Sequence, residues 1–214
     1  MVYDISQGCR TPAFAGVLNG IEGFEKMKKA DYSERLAPAG LILLGLMGPE
    51  LPLIPPTLAT LAPGYPPRSG AWPRSVVRTD VPDFVTRAND GWLDLSRKGG
   101  LFGDDREFLV AVEIREDDWW WAHVKLAESW DIMGAGSASA LGSGFGVPEF
   151  AMLSLAGDVI VCGTAGESMI GSVLLNGFRD LTDLRELADW KASWPGTPQR
   201  ERMAARRWLE SIGR

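Results

Sequence analysis

Hydrophobic and polar positions alternate most sharply between Glu107 and Leu126, where EFLVAVEIR and WWWAHVKL flank the acidic run EDD. Two alternating runs joined by turn residues predict a β-hairpin. Successive strand side chains point to opposite faces. Phe108, Val110, Val112 and Ile114 then share an apolar face with Trp120, Ala122, Val124 and Leu126. The opposite face is mixed and carries Leu109, Ala111, Glu113, Arg115, Trp119, Trp121, His123 and Lys125. It is either an interface or pocket, or a second core surface covered by helices.

Elsewhere the pattern predicts further elements. Ile21–Leu36 has the spacing of a short amphipathic helix. Leu41–Met47 (LILLGLM) is apolar and too short to span a bilayer; it reads as a buried helical turn or a strand. Residues 48–73 hold eight of the fourteen prolines, which excludes a helix interior or a central strand there. The interspersed Leu51, Leu53, Ile54, Leu58 and Leu61 favour a connection packed over the domain rather than a polyproline ligand. Ser75–Thr79 reads as a strand. Asp80 reads as the cap of a helix reaching Asn89, followed by an alternating strand at Trp92–Ser96. Phe150–Leu155 and Val159–Thr164 predict a second hairpin, and Met169–Asn176 a further strand. Asp180 reads as the cap of one C-terminal helix. Thr197-Pro198 reads as the start of a second, with a stripe of Ala205, Trp208, Leu209 and Ile212.

Strands joined by tight turns, with helices before and after, predict an α+β fold. The expected architecture is one domain: an antiparallel sheet of about five to seven strands flanked by N-terminal and C-terminal helices. Residues 75–214 form its core, and residues 1–74 a helical, Pro-rich arm or subdomain.

Composition narrows the chemistry. The chain has 214 residues, 45% of them hydrophobic and 23% charged, which suffices for a real core. The net charge of −6 makes nucleic acid a poor partner. No apolar run is long enough for a transmembrane helix, and no signal peptide is read at the N-terminus. Cys9 and Cys162 could form one disulfide, but without a signal peptide reduced thiols and a cytoplasmic location are the expectation. Two cysteines and one histidine do not complete a usual zinc site, so neither metal nor cofactor is expected.

Three features could carry chemistry. His123 is the only histidine and could act as a general base. Cys162 ends a β-branched run before a glycine turn and could be a nucleophile with His123 as its base; a buried thiol acting as a small hydrophobe is the competing reading. Its neighbourhood has the spacing of a cysteine-phosphatase loop, but Ser168 stands where that loop needs arginine. Residues 134–146, rich in Gly and Ser, could cradle phosphate through backbone amides, although the segment lacks the Gly-Lys-Ser/Thr of a P-loop. The basic last helix could dock an acidic partner or simply face solvent.

No catalytic motif is complete. The sequence therefore favours a non-catalytic protein-binding module that neutralises another protein, in the manner of an immunity or inhibitor protein blocking a basic toxin. Its binding residues would be Trp119, Trp121, His123, Glu113, Arg115 and Lys125. The alternative is a small hydrolase using Cys162 or His123 with the loop 134–146.

Overall fold

The computed structural model describes residues 31–48, 50–67, 70–143 and 146–213. Seven strands form one antiparallel sheet: β1 (Leu41–Met47), β2 (Arg74–Arg78), β3 (Glu107–Arg115), β4 (Asp118–Leu126), β5 (Ala151–Leu153), β6 (Val159–Gly166) and β7 (Met169–Asn176). Their order across the sheet is β1-β4-β3-β5-β6-β7-β2. The α+β class and the antiparallel sheet are as the strand pattern predicts. β1 and β2 form the two edges, so the apolar run Leu41–Met47 is a strand of the same sheet.

The hairpin pairs in the register that the alternation implies. Phe108 faces Val124, Val110 faces Ala122 and Val112 faces Trp120. A register shift falls between Glu113 and Arg115, and the turn is shorter than expected because Asp118 already belongs to β4. Asp117 occupies the left-handed region at φ 60°, a conformation that Asp tolerates better than most residues.

Both faces of the sheet are covered. Phe108, Val110, Val112, Ala122 and Val124 pack into one core with Tyr32, Leu36 and Trp92. Leu109, Ala111, Trp121, Leu153, Ile160 and Cys162 pack into the other. Helices α1 (Pro56–Leu61), α3 (Thr182–Ser193) and α4 (Gln199–Ser211) supply the second layer through Leu58, Ala59, Leu184, Ala188, Trp208 and Leu209. Helix α2 (Phe84–Gly99) supplies the first through Ala88 and Trp92. The result is three layers, helix on sheet on helix.

The Pro-rich segment is a packed connection. Ile54, Leu58, Ala59, Ala62 and Trp72 are all buried against the sheet. Proline at the start of α1 costs no hydrogen bond, because the first amides of a helix lack intrahelical acceptors.

Several expected boundaries differ. Trp92–Ser96 is helical, not a strand. It continues α2, whose buried positions Ala88, Trp92 and Ser96 are spaced by four. A five-residue window cannot separate a period of 2 from one of 3.6. The helix stops at Gly100, whose φ of 81° favours glycine, with its N–H bonded to Ser96 and Arg97 carbonyls. Asp80 caps nothing; Arg78 donates to both its carboxylate oxygens, at 2.9 and 2.6 Å. Asp180 lies in a short 3-10 turn before α3, and α4 begins one residue later than Thr197-Pro198 implies. Of the helix expected over Ile21–Leu36, residues 31–36 are helical; 21–30, like Cys9, lie outside the described residues. No helix among the described residues is long and apolar enough to cross a membrane.

Candidate functional site

The mixed face of the hairpin divides along its length. In the middle, α1 and the residues before it lie over the sheet. Trp121 is 4% exposed there, and its indole N–H donates to the Ile54 carbonyl at 2.8 Å. It packs as a core residue and not on an open face, with only a small part of it left at the cleft. Leu109 and Ala111 beside it are buried as well.

At the base of the hairpin, His123 and Lys125 flank Glu107. His123 Nε2 lies 3.1 Å from a Glu107 carboxylate oxygen and Lys125 Nζ 3.8 Å from the other. These are cross-strand and diagonal neighbours in the β3–β4 ladder, the usual unit of sheet surface pairing.

At the tip, Glu113 and Arg115 are exposed and Trp119 is half-buried. Here a cleft of about 450 Å³ opens between the turn, the chain entering α1 and the start of α4. Met47, Leu51, Leu53, Pro55, Pro56, Trp119 and Pro198 give it apolar walls; Arg115, Glu116, Asp117, Asp118, Arg200 and Glu201 give it charged ones.

Asp118 organises the charged side. It accepts the Trp120 indole N–H at 3.0 Å, Arg115 Nε lies 3.7 Å away and Arg200 Nη1 lies 3.9 Å away. The Arg200 guanidinium also lies 3.4 Å from the centre of the Trp120 ring. A cation over an indole face is attracted by the ring quadrupole. A cation in the first turn of a helix opposes the helix dipole, so the ring and the carboxylate, not the helix, favour Arg200 in this place. Behind it Glu201 joins three elements. Lys191 of α3 donates to it at 2.6 Å, and the Thr57 hydroxyl of α1 donates to the same oxygen.

Sequence reasoning found Trp119, Arg115 and Glu113 but missed Arg200, Trp120 and Asp118. Trp120 alternates onto the apolar face, yet at the strand end it is only half covered. Arg200 was legible only as one of several arginines in a basic helix. Its position against the hairpin depends on how α4 packs.

The residues of the hydrolase alternative do not come together. Across the sheet, β4 and β6 are separated by β3 and β5. Three strand spacings place His123 roughly 14 Å or more from Cys162, too far for a base and its nucleophile. Cys162 is 3% exposed and its thiol points to the Ala59 carbonyl at 3.6 Å. Burial pushes its pKa up to about 12, so the thiolate is scarce at neutral pH. It borders a second cavity, of about 490 Å³, where the short strand β5 leaves β3 and β6 apart.

The Gly/Ser segment does not offer its first amides to a ligand. The Asp131 carboxylate already accepts Gly134 and Ala135 N–H at 2.8 Å each and Asn89 Nδ2 at 2.7 Å. Partial burial raises its pKa, but the bonds from Ala135, Asn89 and Gly134 outweigh this and hold it below the usual value. Among the described residues no three acidic, His or Cys side chains are grouped to hold a metal ion.

No family model, no curated protein and no solved structure matches this chain.

Proposed function

We propose that this protein is a non-catalytic binding module of the inhibitor or immunity type. It acts in the cytoplasm, and the hairpin tip with its cleft meets the partner. One observation carries the reading: Arg200 is stacked on Trp120 and held by Asp118 at the edge of a 450 Å³ cleft walled by Trp119. Trp and Arg are the residue types that most often anchor interfaces. Both are fixed here before binding, which lowers the entropy lost on association. The net charge of −6 would steer a basic partner, such as a toxin domain, toward the molecule. The covering of Trp121 favours a contact at the tip, with Trp119, Arg115, Glu113 and Arg200 as the binding set in place of the full mixed face. His123 and Lys125 lie at its far end.

The test is capture of a partner by the full chain, compared with Trp119→Ala and Arg200→Ala variants of unchanged melting temperature. The expected result is one captured basic protein, inhibited stoichiometrically, with affinity lowered at least tenfold by each variant. Unchanged capture by both variants would sink the reading.

A further inference from the structure

Arg200 shows what the cleft recognises. A guanidinium needs a flat π surface for its face and a carboxylate for its N–H edge. The cleft supplies both to Arg200: the Trp120 ring at 3.4 Å and Asp118 at 3.9 Å. The same elements recur elsewhere in the cleft lining. Trp119 provides a half-buried indole, while Glu116 and Asp117 are exposed at the turn beside it. Met47 and Leu51 add apolar surface to the same cleft, of the kind that packs against the methylenes of a long side chain.

Charge sets the sign of the occupant. Besides Glu201, which is paired with Lys191, three lining carboxylates, Glu116, Asp117 and Asp118, stand with two guanidinium groups, Arg115 and Arg200. Asp118 is occupied by Trp120, Arg115 and Arg200, whereas Glu116 and Asp117 project to solvent from the turn. Arg115 is exposed beside them but shares Asp118 with Arg200, so the two turn carboxylates, which lack a cation partner among the described residues, favour a basic occupant over an acidic one.

We propose that the cleft is an arginine-anchor site. One arginine from the surface of a basic partner protein inserts beside Trp119, its guanidinium against the indole and its N–H edge toward Glu116 and Asp117. The inference rests on the protein-binding reading and names the chemistry of the partner. Arginine is favoured over lysine because only a planar guanidinium can stack and bond edgewise at once.

The test uses the full chain with three peptides: hexa-arginine, hexa-lysine and hexa-glutamate. Tryptophan fluorescence and calorimetry report binding at about physiological ionic strength. Hexa-arginine is expected to bind at least threefold more tightly than hexa-lysine, and hexa-glutamate not to bind. The double variant Glu116→Gln/Asp117→Asn should weaken hexa-arginine at least tenfold at an unchanged melting temperature. Asn suits the left-handed conformation at position 117, so folding is not at risk. Trp119→Leu should weaken it as well. Glu186→Gln/Asp189→Asn, on the exposed side of α3, should leave binding unchanged. Equal weakening by that control pair would reduce the effect to general charge attraction and overturn the proposal. Tighter binding of hexa-glutamate would overturn it too, as would no binding of hexa-arginine. Loss of a captured partner in the Trp119 and Arg200 variants, without any turn-dependent hexa-arginine binding, would refute the arginine anchor alone. Capture that survives those variants would refute the binding reading itself.

Discussion

At the residue scale, Asp131 illustrates how a polar side chain can consume the site it resembles. Sequence alone presents WDIMGAGSASALG as a flexible, amide-rich loop. In the fold, the preceding aspartate closes that loop on itself through two backbone N–H groups and Asn89. A carboxylate held below its ordinary pKa is stabilised in its ionised form. That contribution is complete above the ordinary aspartate range and is lost as pH falls below it, through the folded value. Asp131→Asn should therefore destabilise the protein by about 2 kcal/mol at neutral pH, the scale of hydrogen bonds to a charged group. The gap between wild type and variant should shrink as urea unfolding is repeated toward pH 3. A gap independent of pH would show that Asp131 is not ionised in this role.

At the element scale, Glu201 links α4 to α3 through Lys191 and to α1 through Thr57. The pair is mostly shielded, with side chains 18% and 14% exposed, whereas Lys98 and Asp94 on α2 are 78% and 71% exposed. Removing one partner of a shielded pair strands the other charge, while exposed pairs contribute little. Glu201→Ala should cost about 2 kcal/mol of stability, between the exposed and fully buried cases. Asp94→Ala should cost about 0.5 kcal/mol or less. Chemical denaturation of the two variants checks the ranking; equal costs would mean that Glu201 does not brace the helical layer. Since Arg200 is the preceding residue, this brace also bears on the geometry of the cleft. α2 gives the complementary lesson. Its second half alternates like a strand over WLDLS, and only the four-residue spacing back to Ala88 reveals the helix.

At the scale of the whole molecule, the two helical layers leave little of the centre of the sheet exposed. Cys162 lies in that centre, between the helical Ala59 carbonyl and strands β5 and β7. With its pKa near 12, on the order of one thiol in ten thousand is ionised at pH 8. In a Cys9→Ser background, a disulfide reagent should react with Cys162 only through unfolding. The denaturant dependence of labelling should then follow global unfolding measured by circular dichroism. Labelling in native buffer at the rate of a free thiol would contradict the burial of this strand.

What the sequence determined by itself is the set of local periods. Alternation placed β3, β4, β6 and β7 nearly to the residue, assigned Phe108 and Leu109 to opposite faces, and announced an antiparallel α+β fold. Strand period and tight turns are local properties, readable along a few residues. Tertiary structure decided what covers each face. Trp119, Trp120 and Trp121 are adjacent in sequence, yet one walls a cleft, one carries a cation and one is core. Alternation fixes which side each indole takes. Its burial depends on where the chain before α1 crosses the sheet, and its partner depends on where α4 begins. Both are contacts between segments 60 to 80 residues apart, set by packing against the shared sheet; no local period records them.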